Sequence, residues 1–398
     1  MIGSARQERR FFIVAGETSG DQHGASLMAA LLEREPGARF AGIGGARMRA
    51  LGMESLYDAE DMALVGFWEV VRRAPELLLA LRRTHAMAEA WKPTRMILID
   101  YPGFNLRLAR RAHEAGIPVT YYISPQLWAW REGRIASIRE YVDQLLVIFP
   151  FEVDWYRERG VLAQFVGHPL LEEPVPDVSR EEYLTGLGLQ PERPLLTLFP
   201  GSRQQELERH LQLFNRAAGI LRGELPELQV MLGLAPGLSV DRAPVESLDG
   251  MVVTTHRPRL ALRYADAAIV ASGTSTLEGA VWGVPMVVVY RVAPVSWWLG
   301  RRLVKLPFVG MVNILAGEEV VPEFLQNRAQ PGPLAKAALA YYKDKSLRKR
   351  VRKKMAEVQR SLAAPSVDGR RASKPGTVGN GGAAGASQVA ARAILEVS

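Results

Sequence analysis

The chain has 398 residues, 48% hydrophobic and 23% charged, which is the composition of a globular protein long enough for two domains. It contains no cysteine, which excludes a disulfide framework, a thiolate metal site and a cysteine nucleophile. The formal net charge of +8 indicates an anionic partner, either nucleic acid, acidic lipid or a phosphorylated substrate. The sequence shows neither a signal peptide nor an apolar run of the roughly 20 residues that span a membrane, so we expect a cytoplasmic protein.

The first half of the sequence alternates short apolar runs with helical patterns. An apolar run at 11–15 breaks at a glycine-containing loop, 16–21, and a helical pattern follows. Further strands are predicted at 96–99, 119–123, 145–149 and around Phe165. These five strands and their helices indicate an α/β doubly wound domain whose loops at the carboxyl ends of the strands face a ligand.

Asp100 directly follows the strand at 96–99. A carboxylate in this position would be partly desolvated, which suits a general base. The alternative is turn chemistry, because an Asp close before Pro-Gly commonly opens a turn. The local sequence is compatible with both interpretations.

Aromatic and basic residues follow the next strand, in the run SPQLWAWR at 124–131. Trp128, Trp130 and Arg131 can stack on a sugar face or pack an acyl chain, although tryptophans are more often part of a core. His168 can bind phosphate or serve as a hydrogen-bonded structural residue.

The strand and helix pattern restarts after a proline-containing stretch, which predicts a domain boundary near 174–176. The strand at 195–199 leads into a loop in which Arg203 can neutralise a phosphate. Further strands are predicted at 229–234, 250–254, 267–271 and 285–290. The glycine cluster at 42–45 has Arg47 where the dinucleotide fingerprint needs its third glycine, and no Walker sequence occurs, which argues against nicotinamide and P-loop chemistry.

Residues 267–291 predict a strand, a tight loop, a helix and a second strand. The free N–H groups and the positive dipole end of such a helix suit an anion such as a diphosphate. Ser275 and Glu278 also match a capping box, which is a purely structural role. The functional alternative is that Glu278 accepts hydrogen bonds from ribose hydroxyls.

Two segments combine apolar with basic residues. The helical pattern at 66–91 is typical either of a solvated amphipathic helix or of a surface for an amphiphile with an acidic head. The segment 295–312 suits the interface of an anionic membrane. The basic helix predicted at 343–354 is a solvated face that can also contact lipid phosphates, and 364–387, rich in Gly, Ala and Ser, predicts a flexible insertion before a short helix.

Eight motifs together resemble the successive signatures of the lipid-A-disaccharide synthases, which are inverting glycosyltransferases of family 19 with the GT-B architecture. They are GETSGD at Gly16, IDYPGFN at Ile99, SPQLWAWR at Ser124, VGHPL at Val166, PGSRQQE at Pro200, ASGTSTLE at Ala271, VVYR at Val288 and NILAG at Asn313. The resemblance implies two doubly wound Rossmann-like domains that face each other across a cleft. It also implies transfer of 2,3-diacylglucosamine from its UDP derivative to 2,3-diacylglucosamine 1-phosphate in lipid A biosynthesis, with release of UDP.

The resemblance further implies a role for each matching residue. Asp100 would be the base that deprotonates the acceptor 6-hydroxyl. The donor site would comprise Ser202, Arg203, Gly273, Thr274, Ser275, Glu278, Tyr290 and Arg291. The acceptor side would comprise Glu17, Ser19, Gly20, Asp21, Asn105, Trp128, Trp130 and Asn313. Because both implied substrates carry acyl chains, four aromatic and basic residues of the segment 295–312 are candidates for peripheral attachment to the inner face of the inner membrane, namely Trp297, Trp298, Arg301 and Arg302.

The predicted acceptor-binding domain covers 1–175 and is completed by the helix 388–398, and the UDP-sugar-binding domain covers 176–363. No metal or cofactor is expected, since no D-x-D pair is present to hold a divalent ion on a diphosphate. The sequence departs from the family pattern at Gly103, where an acidic residue is common, and in the insertion 364–387.

Two rival functions stay open, and both can be tested. One is another UDP-sugar enzyme, either a transferase with a different acceptor or an epimerase. The other is a nucleic-acid or membrane binder driven by charge, but the sequence contains no recognisable nucleic-acid module, so no nucleic acid partner is expected. The resemblance also leaves room for a homodimer.

Overall fold

The computed structural model describes residues 8–57, 74–174, 176–243, 248, 250–255, 258–293, 297, 306–365 and 385–398. The chain divides into two compact units, Met1–Glu173 with Leu362–Ser398, and Pro174–Ser361.

The first unit is built on a parallel sheet, which over the described residues has seven strands in the order β3-β2-β1-β4-β5-β6-β7. The strands are β1 (Arg10–Ala15), β2 (Arg39–Ile43), β3 (Glu54–Tyr57), β4 (Arg95–Ile99), β5 (Val119–Tyr122), β6 (Gln144–Val147) and β7 (Ala163–Phe165). Central strands such as β4 are buried along their whole length, because helices cover both faces of a parallel sheet. This full burial explains why they appear in the sequence as continuous apolar runs.

The helices of the first unit pack around this sheet. They are α1 (Thr18–Arg34), α2 (Ala46–Ala50), α3 (Ala74–Trp91), α4 (Pro102–Glu114), α5 (Ile135–Tyr141) and α6 (Pro150–Arg157). Buried residues from both layers form one core, among them Phe12, Leu98, Leu108, Tyr121 and Tyr156. Short 3-10 helices lie at Glu132–Arg134 and Pro169–Leu171.

The last helix of the chain, Ala386–Glu396, also belongs to the first unit and packs against α1. Arg9 Nη1 donates a hydrogen bond to the Leu395 carbonyl (2.9 Å), and Ser387 Oγ donates to Glu172 (2.6 Å). A Cβ on Gly385 would lie 2.4 Å from a Glu172 oxygen, so the chain enters this helix in close contact with that carboxylate.

The second unit contains a parallel sheet of six strands within its described residues, in the order β10-β9-β8-β11-β12-β13. The strands are β8 (Leu195–Phe199), β9 (Gln229–Gly233), β10 (Met251–Thr254), β11 (Ala267–Ala271), β12 (Met286–Tyr290) and β13 (Glu323–Leu325). Its helices are α7 (Arg180–Gly186), α8 (Gln204–Glu224), α9 (Pro258–Arg263), α10 (Thr274–Trp282), α11 (Met311–Ala316), α12 (Pro331–Lys343) and α13 (Lys345–Ser361). The final helix, Ala386–Glu396, is therefore α14. Short 3-10 helices lie at Val240–Arg242 and Gln326–Arg328.

The structure corrects the sequence-based strand count. The five strands predicted for the first domain are present, but β2 and β3 join the sheet beside β1, so the prediction of five was wrong. The sequence did not reveal these strands because Arg39 and Gly42 interrupt the apolar pattern of β2 and no residue of β3 is fully buried. The three-residue strand β13 is also only half-buried and was missed for the same reason.

Several predicted features lie partly or wholly outside the described residues. These are the beginning of the segment 66–91, most of the insertion 364–387, and Trp298, Arg301 and Arg302. Within the described chain, none of the helices is both long enough and apolar enough to cross a membrane.

Candidate active site

In the first sheet the strand order reverses between β1 and β4. The chain runs outward from β1 to β2 and β3, then crosses to β4 and continues in the opposite direction. Ligands of open parallel sheets bind outside the carboxyl ends of the strands at such a reversal. The two loops at this point carry Glu17, after β1, and Asp100, after β4.

Asp100 is held by an unusual backbone and by three hydrogen bonds. Asp100 and Tyr101 both have left-handed conformations, with φ of 46° and 49°, which are uncommon for residues other than glycine. Asn105 Nδ2 donates to the carbonyls of Ile99 (3.1 Å) and Asp100 (2.8 Å). Tyr121 Oη donates to the Asp100 carbonyl (2.6 Å). These contacts fix the backbone at the end of β4, where Asp100 is half-buried.

The environment raises the pKa of the Asp100 carboxyl to about 6. Burial is the largest cause and the negative charge of Glu17 is the next, while a hydrogen bond from the Tyr101 backbone opposes them. A carboxylate with this pKa is still ionised at neutral pH and is a stronger base than an ordinary aspartate.

The loop after β1 packs directly on the loop after β4. A Cβ on Gly16 would lie 2.3 Å from the Tyr101 ring, so only glycine permits this approach. Glu17 and Ser19 are exposed, whereas Gly20 is buried close to Ala15.

Asp21, which the sequence assigned to the acceptor side, has an internal role in the structure. Its carboxylate accepts hydrogen bonds from the backbone N–H groups of Gly45 (2.8 Å), Arg47 (3.2 Å) and Met48 (3.1 Å). Asp21 therefore satisfies the free donors at the start of α2, and only 6% of it is exposed. We infer that it stabilises the loop rather than contacting a ligand.

The two tryptophans of the 124–131 loop have different surroundings. Trp128 Nε1 donates to Glu152 (3.0 Å), a buried carboxylate that also accepts from Ser124 Oγ (3.1 Å) and from the Phe149 N–H (3.1 Å). Burial raises the pKa of Glu152 to about 7. Trp130 is 47% exposed and lies under the Arg131 guanidinium, 4.3 Å from the ring centre. Trp128 is thus fixed by the fold, and Trp130 is accessible to a ligand.

For His168 the structure favours the structural alternative. Its Nδ1 accepts a hydrogen bond from the Leu170 N–H (3.1 Å) at the start of a 3-10 helix, so the ring is neutral. Burial lowers the pKa of His168 to about 3, with a smaller contribution from His23.

In the second sheet the strand order reverses between β8 and β11. The loop after β8 contains Gly201, Ser202 and Arg203. Glu206 folds back over it and accepts hydrogen bonds from the N–H groups of Ser202 (2.8 Å) and Arg203 (3.3 Å). Gly201 has a φ of 132°, and a Cβ there would lie 2.4 Å from a Glu206 oxygen. The Arg203 side chain is exposed, so its charge is available to an anion.

The loop after β11 leads into α10, and the capping box that was one alternative for Ser275 and Glu278 does not form. The N-cap residue is Gly273, which has no side chain to accept a hydrogen bond from the helix N–H groups. Glu278 instead forms an ion pair with Arg259 (3.2 Å), and burial raises the pKa of Glu278 while Arg259 opposes that rise. Gly273 and Thr274 are exposed and Ser275 is half-buried. This helix start therefore presents backbone donors at the strand reversal, without a side-chain cap.

Asn313, the remaining acceptor-side prediction, uses all its hydrogen-bonding capacity within the second unit. Its Nδ2 donates to the Val321 carbonyl (2.8 Å) and to Glu323 (2.8 Å), and its Oδ1 accepts from the Val320 N–H (2.9 Å) and the Val321 N–H (3.0 Å). Its exposed fraction is 0%. Asn313 fixes the connection between α11 and β13, with no polar atom left over for a ligand.

Tyr290 ends β12, and Arg291 follows it. Both are half-buried, and the Arg291 guanidinium donates to the carbonyls of Gln326 and Ala329. Trp297 packs against the Tyr290 ring with a centroid separation of 6.5 Å. Trp297 therefore contacts a residue predicted to bind the nucleotide.

Comparisons with known proteins decide the family. Residues 11–372 match the profile described as lipid-A-disaccharide synthetase. The chain is 42% identical to the lipid-A-disaccharide synthase of Geobacter sulfurreducens, over 89% of this chain and 93% of that protein. It is 45% identical to the synthase of Myxococcus xanthus, over 82% of this chain and 86% of that protein.

The chain belongs to the lipid-A-disaccharide synthase family. The predicted glycosyltransferase class and the role in lipid A biosynthesis are confirmed by this membership.

Solved structures confirm the predicted fold class. The UDP-GlcNAc 2-epimerase of Neisseria meningitidis matches with a TM-score of 0.61 over 97% of this chain and all of that one, at 10% sequence identity. A glycosyltransferase of kitacinnamycin matches with a TM-score of 0.59 at 16% identity. At such low identity these structures support the GT-B fold alone, and the choice of synthase over epimerase depends on the family match.

The Asp100 environment predicts a measurable cost in stability. Because the pKa of Asp100 is raised from 3.8 to about 6, ionising this group costs more in the folded than in the unfolded protein. The free energy of unfolding of the Asp100→Asn variant should therefore exceed that of wild type at pH 8, by at most about 3 kcal/mol, and this difference should disappear as the pH falls to about 4. Asparagine also tolerates the left-handed backbone. Thermal unfolding of both proteins across this pH range tests the point, and a less stable variant at pH 8 would contradict it.

Proposed function

We propose that this protein transfers 2,3-diacylglucosamine from its UDP derivative to the 6-hydroxyl of 2,3-diacylglucosamine 1-phosphate. The acceptor oxygen attacks the anomeric carbon of the donor, and its proton passes to the Asp100 carboxylate. The anomeric carbon–oxygen bond to the diphosphate breaks, and its electron pair leaves with UDP. Attack from the side opposite the leaving group inverts the anomeric centre and gives a β-1,6 disaccharide 1-phosphate.

The observation that carries this proposal is the environment of Asp100. The carboxylate lies at the strand reversal of the first sheet, and its raised pKa brings it closer to the operating pH of a general base. Asn105 and Tyr121 bind only the backbone of Asp100. Its carboxylate oxygens are therefore left to the Tyr101 N–H or to a substrate.

The second unit supports binding of the donor diphosphate. Arg203 and the start of α10 follow neighbouring strands, β8 and β11, and both can stabilise negative charge that develops on the leaving group. Glu278 would hold the ribose, with Arg259 fixing the direction of its carboxylate. Tyr290 and Arg291 would lie beside the nucleotide, with Arg291 oriented by its backbone contacts.

Both proposed substrates carry acyl chains, so the protein must meet a membrane surface. We infer peripheral attachment to the cytoplasmic face of the inner membrane. On α3, Leu78 and Leu79 are 53% and 48% exposed, close to the exposed Arg82 and Arg83. Apolar groups beside cations suit an anionic interface. The segment around Trp297 remains a second candidate for this contact.

Replacing the base should abolish most of the turnover. The Asp100→Asn variant should fold and lose about 10²- to 10⁴-fold in kcat, which is the usual contribution of a positioned base. In the wild-type protein, kcat/KM should fall as the pH drops below about 6, because Asp100 becomes protonated. Steady-state assays of disaccharide formation in detergent micelles measure both effects. Turnover close to wild type in the variant would remove Asp100 from the mechanism.

Replacing Arg203 should impair use of the donor and leave binding of the acceptor unchanged. The Arg203→Ala variant should raise the KM for the UDP-sugar and lower kcat, because an exposed cation at the leaving diphosphate is lost, and the KM for the acceptor should not change. A matched control is Lys336→Ala, an exposed cation on α12 of the same unit, which should behave as wild type. Equal kinetics for the Arg203 and Lys336 variants would count against the assignment.

A further inference from the structure

Three arginines lie close together at the carboxyl edge of the first sheet. Arg131 and Arg134 follow β5, in and just before the 3-10 helix Glu132–Arg134, and Arg107 lies in the second turn of α4, which follows β4. Strands β4 and β5 are neighbours, and α4 packs against α5, which continues from this 3-10 helix. The topology thus brings residues 107, 131 and 134 to one place beside the Asp100 loop.

The local structure fixes each of these arginines. Arg107 Nη1 donates to the Gly103 carbonyl (2.8 Å), one turn back towards Asp100. Arg131 has a left-handed backbone with a φ of 57°, and its guanidinium lies over the Trp130 ring. The backbone N–H of Arg134 donates to the Arg131 carbonyl (3.0 Å).

Arg134 is the centre of this cluster. Its side chain is half-buried, whereas Arg107 and Arg131 are exposed. Burial lowers the pKa of Arg134, and the positive charges of Arg131 and Arg107 lower it further. Tyr121, whose hydroxyl binds the Asp100 carbonyl, interacts with the charges of both Asp100 and Arg134. Arg134 and the proposed base therefore both lie near Tyr121.

The cluster has an excess of positive charge. In the portion of the chain that the structure describes, none of the three guanidinium groups forms an ion pair with a carboxylate, although the neighbouring Glu132 pairs with Arg159 (2.6 Å). Like charges held together with one of them half-buried are unfavourable unless an anion compensates them. A phosphate monoester fits this need, since arginine presents donors in a fork that matches phosphate oxygens.

We propose that Arg107, Arg131 and Arg134 form the binding site for the 1-phosphate of the acceptor sugar. This inference rests on the proposed function, which supplies a phosphorylated acceptor. The chemistry of the acceptor agrees with the placement, because the carbon that carries the 6-hydroxymethyl group and the carbon that carries the phosphate are both bonded to the ring oxygen, so the two groups leave the same part of the sugar. A sugar whose 6-hydroxyl reaches Asp100 must extend its phosphate to a site beside that residue. Trp130, exposed and next to Arg131, would then lie along the sugar between them.

The decisive experiment removes the phosphate and the arginine separately and together. We would compare kcat/KM for 2,3-diacylglucosamine 1-phosphate and for the same sugar with a methoxy group at carbon 1. Wild type should prefer the phosphorylated acceptor by about 10- to 100-fold, the usual worth of a charge-assisted contact. The Arg134→Ala variant should lose at least about 10-fold of this preference, with the KM for the UDP-sugar unchanged. The control Arg110→Ala, an exposed arginine of α4 that pairs with Glu114, should keep the full preference.

A binding measurement makes the test independent of turnover. Soluble glucosamine 1-phosphate should change the tryptophan fluorescence of wild type and of the Arg110→Ala variant. The dissociation constant from this titration should be at least about 10-fold higher for Arg134→Ala. If Arg134→Ala fails to fold, the same two measurements are made on Arg131→Ala and Arg107→Ala, whose side chains are exposed. Arginine-dependent probe binding without any disaccharide formation would support the phosphate site and contradict the proposed function.

Three results would overturn the inference while leaving the proposed function intact. One is an equal loss of activity on both acceptors in Arg134→Ala. Another is probe binding that does not depend on the arginines. The third is reduced sedimentation of Arg134→Ala with anionic phospholipid vesicles and an unchanged acceptor preference, which would assign the cluster to lipid headgroups of the membrane.

Discussion

The proposed chemistry depends on one constraint at the end of β4, where two consecutive residues, Asp100 and Tyr101, are held in left-handed conformations. Asn105 and Tyr121 bind the Asp100 carbonyl and so stabilise a backbone that would otherwise be unfavourable. The constraint leaves the carboxylate half-buried at the strand reversal, where desolvation raises its pKa. The same burial costs folding stability at neutral pH, so the feature that suits Asp100 to the proposed role of base also makes it a local weakness of the fold.

The two strand reversals carry a carboxylate in one unit and a cationic group in the other. In the first unit a carboxylate lies at the strand reversal, and in the second unit an exposed arginine and a helix start without a side-chain cap occupy the corresponding position. This distribution matches the proposed transfer, in which the acceptor loses a proton and the donor gains negative charge on its leaving group. Several other polar residues of the two units bind the backbone of loops instead. Asp21, Glu152, Glu206 and Asn313 all bind backbone N–H groups and hold the ligand-facing segments in place.

The sequence predicts the buried strands well because a parallel strand covered on both faces is a continuous apolar run, as in β4 and β11. It predicts poorly where a strand is short or half-buried, as in β3 and β13. Asp100 could be proposed from its position after a strand, and the structure shows that turn geometry and a basic carboxylate are compatible there. The internal roles of Asp21 and Asn313 could not be predicted, because the deciding partners of Asp21 lie 24 to 27 residues away and those of Asn313 depend on a strand that the sequence did not reveal. Arg259 and Arg134 were also missed, since no local pattern marks an arginine whose partner or neighbour is set by the fold.

In the proposed reaction, UDP leaves only when an acceptor hydroxyl attacks. The most direct measurement is UDP release from UDP-2,3-diacylglucosamine in detergent micelles, with and without 2,3-diacylglucosamine 1-phosphate, in the presence of EDTA. We expect release that requires the acceptor and does not respond to EDTA, because arginine and helix N–H groups are assigned the role of stabilising the diphosphate. Release without the acceptor, or release abolished by EDTA, would contradict this account.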